Sequence, residues 1–340
     1  MIPVQEHVGP QPSPSGRPTT SPLLEIDHLQ VEFLLRRGHV SAVRDVSLAI
    51  QPGESVALVG ESGSGKSVTS LAVMGLLKLP GRIAGGDIRW KGETLLGEPG
   101  RPLLNDVRGK ELAIVFQDPM TSLNPTFTVG TQLTEVLRRH MNLTRGQATE
   151  KAADLLAQVG ISSPRQRLEQ YPHEFSGGMR QRALIAMALA CEPQLLIADE
   201  PTTALDVTIQ AQILELLADI QQRLNLAVLL ITHDLGVVAG LCQRVAVMYA
   251  GKVVEEGPID DIFASPQHPY TRGLLASTPR LDTVNRRLTG IPGVPPTMQR
   301  VQSGCAFTPR CTSAMERCGA HEPQLVSTSE TRKVACWLCE

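Results

Sequence analysis

An α/β fold built on a parallel central sheet is predicted by three features of this 340-residue sequence. Short continuous apolar runs at 55–59, 112–116, 195–198 and 226–231 suit strands covered on both faces, and polar or acidic residues just after the later runs put function at their carboxyl ends. A complete phosphate-binding loop, Gly60-Glu61-Ser62-Gly63-Ser64-Gly65-Lys66-Ser67, lies between the first run and a helical pattern over Val68 to Leu77. Helical spacing recurs at Val129 to Arg139, Thr149 to Gln158 and Gly177 to Ala190, which predicts a helical subdomain over about 120–190 inserted into the α/β core.

The remaining segments follow in chain order. Residues 1–22 carry six prolines among Ser, Thr, Gly and Gln, a composition that buries too little apolar surface to offset its ordering entropy and predicts a disordered tail. Leu24 to Phe33 alternates apolar and polar residues as a half-buried antiparallel strand does. Ala42 to Ile50 is a second such strand, closed by a Pro52-Gly53 turn, so an antiparallel β subdomain precedes the phosphate loop. The nucleotide-binding domain runs over 23–265. Beyond it Pro266, Pro269, Pro279, Pro292, Pro295 and Pro296 break any long element, and five of the seven cysteines fall between Cys305 and Cys339. A small cysteine-rich C-terminal extension over 266–340 is expected.

Composition narrows the function class. A net charge of −2 without a Lys/Arg cluster argues against a nucleic-acid-binding face, which needs concentrated cations to neutralise phosphates. No apolar run approaches the roughly 20 residues that span a bilayer, and the N-terminus lacks a basic region followed by an apolar one. A cytoplasmic protein is expected, its cysteines thiols or metal ligands rather than disulfides.

Glycines in the phosphate loop let successive N–H groups, through to Val68 at the helix start, point at the β- and γ-phosphates of a nucleotide. Lys66 adds a point charge, and the Ser67 hydroxyl is a hard ligand suited to Mg²⁺. At the end of the 195–198 run stand two adjacent carboxylates. Successive strand side chains diverge, so Asp199 is expected to organise Mg²⁺ and Glu200 to act as general base on the attacking water. Ser176-Gly177-Gly178 opens a second glycine-rich helix N-terminus, readable as an anion site, as an N-cap, or as both.

Glu174-Phe175-Ser176-Gly177-Gly178-Met179-Arg180-Gln181-Arg182 resembles the signature segment of ATP-binding-cassette (ABC) ATPases, in the wording of the dipeptide/oligopeptide importer branch. Gln117 resembles the glutamine loop, Ala204-Leu205-Asp206 the D-loop and His233 the switch histidine. Phe33 stands where the family commonly carries an aromatic that stacks on adenine; the lesser alternative is an ordinary strand core residue. The resemblance covers residues 24 to about 257 and implies an ABC-type P-loop ATPase whose cassettes meet head to tail. Ser176, Gly177, Gly178 and Asp206 would then serve the nucleotide held by a second cassette, identical or related. Glu200, His233, Lys66 and Gln117 would carry hydrolysis, with Gln117 also reporting the state of Mg²⁺. Met120 to Pro125 resembles a branch-specific segment that approaches the permease.

Spacing alone does not favour a metal at Cys305, Cys311, Cys318 and Cys336, since structural zinc sites pair short C-x2-C units and only Cys336 and Cys339 form one. The segment nevertheless resembles the tail of peptide-importer ATPases, some of which hold a [4Fe–4S] cluster on these four positions; the alternative is reduced thiols. His268 to Arg272 and Ile291 to Pro296 resemble tail motifs of the same branch, with no chemistry assigned. The resemblance implies two transmembrane permease subunits, an extracytoplasmic substrate-binding protein and a peripheral position on the cytoplasmic face of the membrane. Import of nickel or another small solute is the near alternative. A cassette acting on nucleic acid is disfavoured, because one phosphate loop occurs and no long coiled-coil pattern interrupts the cassette.

Overall fold

The computed structural model describes residues 21–36, 38–203, 205–277, 290–296 and 303–339. Residues 1–20 of the tail expected over 1–22, Ala204 and Pro279 lie outside them.

Strand β1 (Leu24–Leu35) pairs antiparallel with β2 (Gly38–Ile50) and with β4 (Gly81–Trp90), and β5 (Glu93–Thr94) closes this edge. β3 (Ser55–Val59) lies parallel to β8 (Ala227–Thr232) and β9 (Arg244–Tyr249), while β7 (Leu195–Asp199) joins β8 to β6 (Leu112–Val115). β10 (Lys252–Pro258) turns back on β9 and touches β2, linking the two sets in the order β5-β4-β1-β2-β10-β9-β3-β8-β7-β6. The four parallel strands expected from sequence are present.

Every residue of β3, β7 and β8 is buried, which is why they read as unbroken apolar runs. Along each, successive side chains enter opposite cores. Leu58, Ile197 and Leu229 join the core under the antiparallel layer with α1 (Lys66–Val73), whereas Val59, Ala198 and Leu230 join the core under the helical layer. A strand that feeds two cores cannot slip register without exchanging both sets.

α2 (Gly97–Val107) precedes β6, and the inserted helical layer follows it: α3 (Pro119–Ser122), α4 (Val129–Met141), α5 (Arg145–Gln158), α6 (Pro164–Leu168) and α7 (Gly177–Leu189). α5 begins at Arg145, ahead of the expected Thr149, because Thr144 and Gln147 close a capping box there. α8 (Val207–Leu224) leads into β8. After β10 come α9 (Ile259–Ala264), α10 (Pro269–Ser277), α11 (Glu316–Ala320), β11 (Val326–Ser327) and β12 (Lys333–Val334). β12 adds antiparallel to β10, so the cysteine-rich segment is continuous with the core sheet. Among the described residues, no helix is long and apolar enough to cross a membrane.

Candidate active site

β3 ends at Val59, and the chain must turn tightly into α1. Gly65 makes that turn at φ 106°, and a Cβ there would stand 2.5 Å from the Ala42 carbonyl oxygen. Lys66 is buried, and its Nζ donates to the carbonyls of Gly60 at 2.7 Å and Glu61 at 3.0 Å, which folds the loop around the ammonium. Burial pushes its pKa down, while Glu200 and Asp199 oppose that shift.

On the next residue, Ser67 Oγ donates to Asp199 Oδ1 at 3.0 Å, and about one helical turn on Ser70 Oγ donates to Asp199 Oδ2 at 3.2 Å. Burial raises the Asp199 pKa against these two hydrogen bonds. A hydroxyl and a carboxylate in contact are the hard oxygen donors that Mg²⁺ takes, so this pair fits the ion. Ser70 was missed at the sequence level, although it shares a face of α1 with Ser67.

Glu200 departs from the expected pleat. β7 ends at Asp199, and Glu200 adopts a left-handed conformation with φ 46°, so a backbone turn rather than strand alternation separates the two carboxylates. Its carboxylate accepts from Gln117 Nε2 at 2.9 Å and Thr203 Oγ1 at 2.8 Å, and His233 Nδ1 stands 3.5 Å away. Three segments distant in sequence thus meet on one carboxylate.

A cleft of about 690 Å³ is lined by Glu61, Ser62, Gly63, Gly65, Lys66, Ser67 and Val68 of the loop and helix start, together with Gln117, Glu200 and His233. Gly60 and Ser64 of the same loop are buried and do not line the cleft. Leu274 and Ser277 of α10 and Ile291 complete the lining; of the three only Ile291 lay in a tail motif, with no chemistry assigned to it.

Phe33, Ser176, Gly177, Gly178 and Asp206 do not line the cleft. Phe33 is half-buried on β1, its ring over Gly81. Ser176 and Gly177 are exposed, with Ser176 Oγ capping α7 through the Met179 N–H at 3.3 Å. Asp206 caps α8 through the Ile209 N–H at 2.9 Å. The two helix starts pack on each other: a Cβ on Gly178 would stand 2.8 Å from Ile209 Cγ2. Arg180 of α7 donates to Pro172 O at 2.7 Å and contacts Met120 Sδ at 2.8 Å, joining α7 to the segment after Gln117.

Two family models match the chain: the ABC transporter family over residues 43–203, and the oligopeptide/dipeptide transporter C-terminal region over 254–318. The oligopeptide transport ATP-binding protein OppD of Bacillus subtilis (strain 168) is 52% identical over 318 residues, covering 93% of this chain and 88% of the relative. This chain belongs to the ABC transporter ATPases, in the oligopeptide/dipeptide branch. OppD of Salmonella typhimurium is 50% identical and the dipeptide transport protein DppD of B. subtilis 51% identical, with 93% of this chain covered in each case and 93% and 94% of the relatives. Among solved structures, the dimeric ATP-binding cassette MJ0796 bound to ADP and Pi matches with TM-score 0.62 and 25% identity over 69% of this chain and 98% of its own. cbiO1 of Clostridium perfringens, part of the ABC transporter complex cbiONQ, matches with TM-score 0.60 and 28% identity over 72% and 92%. As an ABC ATPase the chain binds and hydrolyses ATP.

The cysteines of this ABC ATPase are free thiols among the described residues. Cys305, Cys311, Cys318 and Cys336 line one enclosed cavity of about 20 Å³, the space of a single water. Burial pushes the Cys336 thiol up to about 11 and raises Cys305 and Cys311 as well. No group of three or more His, Cys, Asp or Glu among the described residues is arranged to hold a metal ion. Thiols are suitable soft donors, yet the expected iron–sulfur cluster has no support in this arrangement.

Proposed function

We propose that this ABC ATPase, peripheral on the cytoplasmic face of the membrane, energises import of di- and oligopeptides together with two permease subunits and an extracytoplasmic binding protein. The supporting observation is the joint match of its cassette and its C-terminal region to the oligopeptide/dipeptide branch. Its peptide-transporting relatives span nearly the same length.

In this reading Lys66 and the loop N–H groups hold the triphosphate, and Ser67, Asp199 and Gln117 would hold Mg²⁺. Mg²⁺ when bound supplies charge neutralisation at the transferred phosphoryl group. Glu200, aimed by Gln117 and Thr203, accepts the proton of the attacking water, and His233 holds the reactive geometry. Phe33 stacks on the base. Ser176, Gly177 and Gly178 bind the phosphates of a second cassette's ATP, with Asp206 near the same junction. The exposure of Ser176, Gly177 and Asp206, together with Val207 at 82% exposed on the adjacent helix start, supports such a contact. The iron–sulfur expectation rests only on the resemblance of the cysteine-rich tail, and no step is routed through it.

The experiment is uptake of labelled dipeptide, oligopeptide and Ni²⁺ into vesicles holding the chain with its native permease partners. ATP-dependent peptide uptake that Lys66→Ala abolishes is expected; uptake of Ni²⁺ but no peptide would overturn the substrate assignment.

A further inference from the structure

Glu61, the second residue of the phosphate loop, is gripped at both ends by residues from beyond the cassette. Its N–H donates to Tyr270 Oη at 2.8 Å. Its carboxylate takes both terminal nitrogens of Arg310, Nη1 at 2.6 Å and Nη2 at 2.9 Å. Arg310 is only 6% exposed, its guanidinium 5.9 Å from the ring centres of both Tyr249 and Phe307. Arg310 Nε donates to Pro292 O at 2.9 Å, and Gly293, at φ 78°, packs on the arginine stem. The two tail motifs without assigned chemistry therefore build this grip. One supplies Tyr270, whose own N–H donates to His268 Nδ1 at 3.0 Å; the other supplies the saddle that orients Arg310.

Glu61 in turn positions the loop. Its carbonyl accepts from Lys66 Nζ at 3.0 Å and from the Ser64 N–H at 3.2 Å. Fixing the side chain and N–H of Glu61 fixes the plane of the peptide that holds the lysine. A fork-to-carboxylate contact suits this task, because two parallel charge-assisted hydrogen bonds set direction as well as distance.

We propose that Arg310, with Tyr270, is a positioning residue for ATP binding, and that the C-terminal extension acts through Glu61 as part of the phosphate site. The proposal rests on the reading of Gly60 to Ser67 as that site. Contact with nucleotide is not required of either residue. Ile291, beside Pro292, also lines the cleft, so the same segment shapes the site's wall.

The test is equilibrium binding of ATP to the full chain for wild type, Arg310→Met, Arg310→Lys, Glu61→Gln, the Arg310→Met/Glu61→Gln pair and Lys66→Ala, with thermal unfolding alongside. Loss of one member of a buried charge pair is expected to weaken ATP binding about tenfold or more, with Arg310→Lys only partly restoring it. The double variant should bind no worse than Arg310→Met, because the arginine acts through Glu61. Glu61→Gln and Arg310→Lys keep the shape of the pair and serve where Arg310→Met unfolds. Wild-type affinity in the folded Arg310 and Glu61 variants, or additive losses in the pair, would overturn the proposal while loss in Lys66→Ala leaves the site reading standing. Full affinity in Lys66→Ala would overturn both.

Discussion

Gln117 Nε2 lies 2.9 Å from Glu200 Oε2, so a residue just past the edge strand β6 holds the carboxylate that follows the neighbouring strand β7. Any displacement of the Gln117 loop, which continues into α3 and through Met120 to Arg180 of α7, moves a hydrogen bond on Glu200. The geometry links the helical layer to the reacting centre through one amide.

Glu200→Gln keeps the shape and the hydrogen bonds but removes the base. ATP binding should persist while turnover falls by about 10²–10⁴-fold, the usual contribution of a positioned base. Single-turnover hydrolysis with labelled ATP checks this; wild-type rates would remove Glu200 from that role.

Asp199 should cost stability where it is ionised. Burial raises its folded pKa above the ordinary carboxylate value, so its stabilising contribution is present at low pH and is lost as pH rises through the folded pKa. Asp199→Asn should therefore raise the melting temperature of the nucleotide-free chain at neutral pH, by a few degrees, with the gain shrinking toward pH 4. The same change should weaken Mg²⁺-dependent ATP binding. A lower melting temperature at neutral pH would contradict the assignment.

His268 has the opposite sign. Burial depresses its pKa to about 3, so its contribution is complete above about 6.5 and is lost as pH falls toward 3. Between those limits each pH unit should cost up to about 1.4 kcal/mol from this group. His268→Asn should flatten that part of the stability profile, measured by urea unfolding across the range.

Gly178 is required first for packing. A Cβ would meet Ile209 at 2.8 Å, so Gly178→Val should destabilise by roughly 1–3 kcal/mol, and Ile209→Ala should recover most of it. Thermal unfolding of the single and double variants checks this. Recovery of stability without recovery of ATPase would separate packing from the role at the partner's nucleotide.

The parallel strands and the phosphate loop were legible because their signals are local: β3, β7 and β8 are buried on both faces, and the loop's glycines sit at fixed offsets. β4 left no such signal. Gly81, Gly85 and Gly86 lower its strand propensity, and it forms because β1 pairs with it across an irregular register near Asp27 and Gln30. In the site, Lys66, Ser67, Asp199 and Glu200 could be named from motifs. The left-handed turn at Glu200 and the hold of Thr203 on it could not, since a strand end and a turn carry the same Asp-Glu pair. Arg310 reaches Glu61 across most of the chain, and a contact of that separation has no periodicity to betray it.

Mixed dimers carrying Ser176→Arg in one chain and Glu200→Gln in the other test most directly whether the cleft is half of a site. Ser176 is exposed and outside the cleft that holds its own chain's Glu200. In a head-to-tail pair both substitutions fall on one nucleotide, leaving the other site intact with substantial ATPase, whereas a chain carrying both substitutions, paired with wild type, disables both sites. Equal activity of the two arrangements, or hydrolysis lost only at the Ser176→Arg chain's own nucleotide, would contradict it.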